Sequence, residues 1–139
     1  MIAIVGGGAS GTLAATYLLR EAASRRMPLR VALIDRHGRY GLGQAYSTTH
    51  SAHLLNSPVG AMSALAGDPG HLARWAAGAE LPHDGFLPRG AYGRYLTECL
   101  TAAERPARFR RAATSPIRGS LARWPRSRTA ARSPCSAPA

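Results

Sequence analysis

Three glycines near the start of the chain have the spacing needed to hold a phosphate group. Gly6, Gly8 and Gly11 form a G-x-G-x-x-G pattern within the stretch MIAIVGGGASGTL. In such a pattern the first glycine allows a tight turn and the second lets the backbone approach a pyrophosphate, while the third lets a helix pack closely on a strand. The pattern is weak by itself, so its meaning depends on the elements that flank it.

The flanking residues predict a strand, a helix and a second strand. Residues 1–5 (MIAIV) are largely β-branched and end at glycine, which is typical of a buried parallel strand that feeds a tight turn. Residues 9–23 show helical spacing of their apolar side chains, and residues 29–35 (LRVALID) read as a strand buried on both faces. Together they predict a βαβ unit. The apolar residues that set the helical spacing are Leu13, Ala14, Tyr17 and Leu18.

The start of this helix and the end of the second strand complete the expected site. Backbone N–H groups at Ala9 and Ser10 would receive the anionic phosphates. Asp35 lies 24 residues after Gly11, where a carboxylate accepts hydrogen bonds from an adenosine ribose and repels a 2′-phosphate. Arg36 either faces the adenine or lies in solvent. The sequence therefore predicts an adenine-dinucleotide site for FAD or NAD rather than NADP, and the βαβ unit alone does not separate the first two.

Beyond Asp35 the regular pattern stops and then resumes. Residues 36–67 are glycine-rich with little periodicity, and such a long loop is uncommon in a compact domain unless it is functional. Asp68 and Pro69 then predict a helix with Asp68 as its N-cap. An amphipathic helix is expected over 89–104. Its end is expected at Pro106 and its buried residues are expected to be Tyr92, Leu96, Cys99, Leu100 and Ala103.

Five short stretches between residues 41 and 96 occur in the same order as similar stretches in a known family. They are GLGQAYST (41–48), HLLNSP (53–58), AMS (61–63), DPGHLARW (68–75) and FLPRGAYGRYL (86–96). Together with the glycine pattern they resemble a family of bacterial FAD/NAD(P)-binding oxidoreductases, related to flavin-dependent N-hydroxylating monooxygenases. The resemblance covers roughly residues 2–104 in order.

The resemblance implies FAD at the N-terminal Rossmann unit and NAD(P)H as the reductant of the complete protein. In that scheme the nicotinamide reduces the flavin, which passes electrons to a small-molecule substrate or to oxygen. The segment 41–63 would run towards the flavin ring, where Gln44, Tyr46, His53 and Asn56 are candidate contacts. For His53 a hydrogen-bonded loop histidine is an equal alternative. No catalytic residue is assigned, because in a flavoenzyme the cofactor carries the chemistry.

The charge of the chain is concentrated at its C-terminal end. Residues 1–104 hold nine arginines against seven acidic residues, whereas residues 105–139 hold nine arginines and no acid. That segment is rich in Arg, Ala, Ser and Pro and shows no period, so we expect it to be disordered. Two origins stay open. A wrong reading frame or truncated gene in G+C-rich DNA is favoured over a basic arm that contacts nucleic-acid phosphates.

The remaining composition excludes several classes of protein. Cys99 and Cys135 form no CxxC pair, which argues against a zinc site or a disulfide framework and fits the reducing cytoplasm. The histidines are too scattered to bind a metal. The uncharged run over residues 2–19 is diluted by glycine, serine and threonine and lacks a basic flank, so it predicts neither a membrane span nor a signal peptide.

We therefore expect an incomplete α/β protein with a Rossmann-like βαβ unit. Residues 1–104 would be an FAD/NAD(P)-binding fragment of a flavin-dependent oxidoreductase, and residues 105–139 a basic tail. A doubly wound sheet needs more strands and a reductase needs a second glycine fingerprint, so we expect weak or absent stable retention of FAD by the chain alone, and no turnover. The alternative is a non-catalytic nucleotide-binding module whose basic arm contacts nucleic acid.

Overall fold

The computed structural model describes residues 1–107, and its elements alternate between strand and helix at the N-terminus. Strand β1 (Ile2–Val5) leads into helix α1 (Ala9–Ser24) and then strand β2 (Val31–Ile34). A short 3-10 turn (Val59–Ala61) follows, with helices α2 (His71–Gly78) and α3 (Arg89–Ala107) after it. Apart from that 3-10 turn, the long segment between β2 and α2 consists of turns and bends with an isolated bridge at Leu54.

The two strands are parallel, as the expected βαβ unit requires. Ile2 pairs with Val31 and Val5 with Ile34, and the N–H of Gly6 donates to the Ile34 carbonyl at 2.8 Å. Strand β2 is shorter than the expected 29–35. Within residues 1–107 these are the only strands, so this part of the chain is an incomplete Rossmann-like unit.

The expectation that β1 is buried is wrong. Ile2 is 38% exposed and Val5 is 62% exposed, because β2 is the sole hydrogen-bonded neighbour of β1 among the described residues. The expectation for β2 is half right, since Val31 and Leu33 are buried while Ala32 and Ile34 are partly exposed. Parallel strands are usually covered on both faces, so β1 presents an apolar surface that this part of the chain leaves uncovered.

Helix α1 has the expected extent, but none of the four apolar residues that set its helical spacing is fully buried. Its buried residues are Thr12, Ala15, Thr16 and Leu19, whereas Tyr17 is 42% exposed. Two threonines lie on the buried face and satisfy their hydroxyls there. Thr16 donates to the Thr12 carbonyl at 2.8 Å, as a buried hydroxyl in a helix commonly does.

Helix α2 begins later than expected, because Asp68 does not cap it. The Asp68 carboxylate instead pairs with the Arg74 guanidinium, and Gly70 takes the N-cap position without a side-chain bond. Asp68 and Pro69 therefore form the turn before the helix. The paired guanidinium holds the pKa of the Asp68 carboxyl below its ordinary value, despite the opposing effect of burial.

Helix α3 joins two groups of buried side chains. Tyr92, Tyr95 and Leu96 pack with α2 and the preceding loop, while Leu100 and Ala103 pack with α1 and β2. All five side chains expected to be buried on α3 are buried, including the small Cys99. The helix continues to Ala107, so the expectation that it covers 89–104 and ends at Pro106 is wrong. The expected tail and Cys135 lie outside the described residues.

Candidate functional site

The first and third glycines of the pattern are required for two different structural reasons. Gly6 has a φ of +106°, a backbone conformation that side chains other than glycine rarely adopt. A Cβ atom at Gly11 would lie 1.8 Å from the Gly6 carbonyl oxygen, so α1 packs directly on the turn. The turn after β1 therefore needs glycine at both positions, as the spacing predicted.

Gly7, which lies between the first two glycines of the pattern, is also constrained, and the pattern did not predict this. A Cβ at Gly7 would lie 2.7 Å from the Asp35 Cβ and 2.8 Å from the Tyr40 ring. The Gly7 N–H donates to Asp35 Oδ2 at 3.0 Å. Asp35 is thus fixed against the glycine turn at the carboxyl end of β2, the place where the sequence analysis put a ribose-binding carboxylate. The three consecutive glycines were the available signal for this close approach.

The Asp35 carboxylate is ionised and keeps accepting capacity. Its Oδ1 accepts the N–H groups of His37 at 2.8 Å and Arg39 at 3.3 Å, whereas its Oδ2 accepts the Gly7 N–H at 3.0 Å. Partial burial would raise the pKa of Asp35, but these backbone bonds and that from Gly38 outweigh it and lower the pKa. A carboxylate oxygen has two lone pairs, so Oδ2 can accept one hydroxyl in addition.

The start of α1 is open to an anion. Gly8 is the N-cap and has no side-chain cap, and the first turn contains no acidic residue. The backbone N–H groups of the first turn, which includes Ala9 and Ser10, have no intrahelical acceptor by helix geometry. Their partial positive charge favours phosphate. These donors and the ionised Asp35 suit the diphosphate and the ribose of an adenine dinucleotide.

A second glycine segment, Tyr40–Gly43, lies against the first. The Gly41 N–H donates to the Gly7 carbonyl at 2.9 Å, and a Cβ at Gly43 would lie 3.0 Å from the Gly8 Cα. Gly41 and Gly43 both have positive φ, at +80° and +51°. The sequence analysis placed GLG in the loop towards the flavin but missed this contact with the glycine turn.

The other predicted site residues do not converge on the turn. Arg36, Gln44 and Asn56 are exposed, and no contact described for residues 1–107 joins their side chains to Asp35. His53 forms a hydrogen bond of 2.8 Å with the Thr48 hydroxyl and its ring stacks on His50. His53 is therefore a hydrogen-bonded loop histidine, which was the alternative to a contact with flavin or substrate.

Tyr46 turns towards the protein interior rather than towards the turn. Its ring packs edge-on against Tyr92, with ring centroids 4.9 Å apart. Tyr46 is half-buried beside the group of side chains around α2 and α3. A role in supporting this loop follows from these contacts.

Two negative findings apply to the described part of the chain. Within residues 1–107, no group of three or more His, Cys, Asp or Glu side chains is placed to hold a metal ion. Over the same range, no helix is both long enough and apolar enough to cross a membrane.

The parallel strand pair, the glycine turn and the carboxylate at the end of β2 define a dinucleotide-binding protein of Rossmann-like type. Comparison with protein families agrees, since the FAD-NAD(P)-binding family matches residues 3–133. The chain belongs to this family. No match was found among the curated proteins. The family match extends past residue 104, where the sequence analysis placed a domain boundary, and that boundary stays a prediction.

Proposed function

We propose that this chain is the FAD-binding portion of a flavin-dependent oxidoreductase that uses NAD(P)H as reductant. The observation that carries the proposal is the placement of an ionised Asp35 against Gly7, beside the uncapped start of α1. This juxtaposition supplies a ribose acceptor next to a diphosphate site. Membership of the FAD-NAD(P)-binding family supports a flavin or nicotinamide dinucleotide as the ligand.

Different residues of the site would bind different parts of the cofactor. Backbone N–H groups from Gly8 to Gly11 would bind the diphosphate, and Asp35 Oδ2 would accept a ribose hydroxyl. Bound FAD would supply the electron-transfer chemistry, which no side chain of this site provides. The charge of Asp35 disfavours a 2′-phosphate, so NADP is not expected at this site.

FAD is preferred over NAD as the occupant because of the segment that follows β2. The stretches from GLGQAYST to FLPRGAYGRYL resemble a family of bacterial FAD/NAD(P)-binding oxidoreductases, related to flavin-dependent N-hydroxylating monooxygenases. The segment Tyr40–Gly43 lies directly on the glycine turn, so the residues that follow it leave from the diphosphate site. We propose that Gln44 and Asn56 contact the flavin or a small-molecule substrate. We also propose that the protein acts in the cytoplasm.

Binding measurements on the full 139-residue chain test the proposal. Calorimetric titration with FAD, NAD⁺, NADP⁺ and ADP is expected to give measurable binding of FAD and ADP and the weakest binding of NADP⁺. Asp35→Asn should weaken FAD binding roughly ten- to hundredfold, since a charged hydrogen bond is worth roughly 1.5–3 kcal/mol. Asp84→Asn removes the same charge from an exposed loop and is the matched control. Equal affinity in both variants and the wild type would refute the assignment.

A second candidate function, a nucleotide-binding module with a nucleic-acid-binding arm, rests on the nine arginines of residues 105–139. Binding of a DNA duplex should then weaken steeply with salt and be lost on deletion of residues 105–139. In the first proposal that segment is a product of a shifted frame or a truncated gene. Sequencing the DNA around codons 100–115 distinguishes the two.

A further inference from the structure

One buried hydroxyl connects the two glycine segments of the site. Thr12, in the first turn of α1, is fully buried. Its Oγ1 donates to the Gly7 carbonyl at 3.0 Å and accepts the Gly41 N–H at 2.8 Å. The Gly41 N–H is shared with the Gly7 carbonyl at 2.9 Å. A single side chain thus joins the glycine turn to the segment Tyr40–Gly43.

The opposite side of that segment is held by α3. Thr97 Oγ1 donates to the Tyr40 carbonyl at 2.8 Å. A Cβ at Gly41 would lie 2.7 Å from Thr97 Oγ1 and 2.9 Å from the Gly93 carbonyl. Tyr40–Gly43 is therefore fixed between two threonines, one on α1 and one on α3. Of these two, only Thr12 also contacts the glycine turn.

We propose that Thr12 is a positioning residue for dinucleotide binding, which holds Tyr40–Gly43 against Gly8 so that both backbones border the diphosphate. The inference rests on the proposed function of the glycine turn. It goes further by assigning the shape of the site to a hydroxyl that touches neither ribose nor phosphate. Without the hydroxyl the Gly41 N–H keeps only the Gly7 carbonyl as acceptor, so the segment that carries Gly43 loses one of the two hydrogen bonds that hold Gly41 to the glycine turn and to α1.

Thr16 provides a control matched in residue type, helix and burial. It is 1% exposed on α1, and its hydroxyl donates only to the Thr12 carbonyl within the same helix. Thr12→Val and Thr16→Val therefore remove the same group at nearly the same burial. Only the first removes a bond to Tyr40–Gly43. Thr12→Ser keeps the hydroxyl and removes a methyl group.

The experiment combines FAD and ADP titration of the full chain with amide hydrogen exchange over residues 38–46. Thr12→Val is expected to weaken FAD binding about tenfold, the effect of one buried hydrogen bond, and to speed exchange of the Gly41 amide. Thr12→Ser should recover most of both, and Thr16→Val should stay within about twofold of the wild type.

The outcomes separate this inference from the proposed function. If the wild type binds FAD and Thr12→Val behaves like Thr16→Val in affinity and exchange, the role of Thr12 is refuted and the proposed function stands. If the wild-type chain binds no FAD, NAD⁺ or ADP, both are refuted. Faster exchange at Gly41 with unchanged FAD affinity would show a bond that holds the segment but does not position the ligand, and this also overturns the inference.

Discussion

The glycine turn and the loop that follows it are built in opposite ways. In the turn, the backbones of Gly6–Gly11 and Tyr40–Gly43 contact each other and Asp35 with little space left. In the loop over residues 44–63, Gln44, His53 and Asn56 are exposed, and no contact described for residues 1–107 joins their side chains to the turn. The difference teaches that backbone geometry fixes the turn proposed to bind the nucleotide, whereas the loop residues proposed to contact the flavin or substrate are not held in place by contacts to that turn.

The strongest way to break this contrast is to change the tightest contact in the turn. Gly11→Ala puts a Cβ 1.8 Å from the Gly6 carbonyl oxygen, so α1 must move off β1. We expect a loss of about 3 kcal/mol or more of unfolding free energy and no measurable FAD binding. Urea unfolding and FAD titration check this.

Gly78→Ala is the control for that variant, because a Cβ there meets nothing within 4 Å at the end of α2. It should change the stability by less than about 0.5 kcal/mol. If Gly11→Ala changes the unfolding free energy as little as Gly78→Ala does, the glycine turn is not tightly packed and the contrast with the loop is wrong.

A second test neutralises the charge within the turn. Asp35→Asn replaces an oxygen that accepts backbone N–H groups with an amide NH₂, which leaves donors facing donors. We expect a loss of roughly 1–3 kcal/mol at pH 7. Chemical unfolding followed by circular dichroism would measure it for Asp35→Asn against Asp84→Asn.

The same variant has a pH signature with a defined sign. The pKa of Asp35 is lower in the folded protein, so its contribution is present above its ordinary value of 3.8 and is lost as pH falls through the folded pKa. The gap between wild type and Asp35→Asn should therefore narrow as the pH falls below 3.8. A gap that stays constant down to pH 2 would contradict the assigned cause.

A smaller loss of stability is expected when the hydrogen bonds that hold the loop to α3 are removed. Tyr95 accepts the Ala64 N–H at 3.0 Å and bonds the His71 ring at 2.8 Å. Tyr95→Phe should cost about 1–2 kcal/mol and leave FAD affinity within about twofold, because these bonds lie outside the turn. Tyr92→Phe keeps both bonds and is the comparison variant. A large loss of FAD affinity in Tyr95→Phe would show that the two regions are coupled.

Both tyrosines also predict the alkaline limit of the fold. Burial raises the pKa of Tyr92 and of Tyr95 to about 12. A raised pKa stabilises the folded state below the ordinary value of 10, and that stabilisation is lost as pH rises from 10 towards 12. Between pH 10 and 12 the free energy of unfolding should therefore fall less steeply with pH in Tyr92→Phe or Tyr95→Phe than in the wild type.

The smallest effects are expected in the loop itself. Gln44→Ala and Asn56→Ala remove exposed side chains, so each should change stability by less than about 0.5 kcal/mol and ADP affinity by less than about twofold. Titration with ADP and then FAD sharpens the comparison. A loss confined to FAD would assign the side chain to the flavin end, and a loss shared with ADP would place it at the nucleotide end.

The part of the site that the sequence predicted depends on short-range spacing. Gly6, Gly11 and Asp35 were recognisable because one turn and one strand end determine their positions. Gly7, Thr12 and Gly41 were missed because their roles arise from contacts between residues far apart in the chain. The sequence shows that Gly41 is a glycine but not that it meets Thr12.

The errors in the fold have a similar origin. The spacing of Leu13, Ala14, Tyr17 and Leu18 predicted the helix α1 but did not indicate that Thr12 and Thr16 are buried on it, with their hydroxyls satisfied inside. Asp68 was assigned to the cap of α2, and its pairing with Arg74 depends on the conformation of the turn between them. The local sequence limits which conformations each segment can adopt, and contacts with the rest of the fold decide which of them it adopts.

The sharing of α3 between two buried groups has a consequence for synthesis on the ribosome. When β1, α1 and β2 have emerged, Ala15, Leu19 and Val31 still lack Leu100 and Ala103, which are translated much later. Until then their apolar surface is exposed to solvent and to other nascent chains, a condition that favours aggregation. The rate at which the ribosome reaches residue 103 therefore limits how early the dinucleotide-binding unit can become stable.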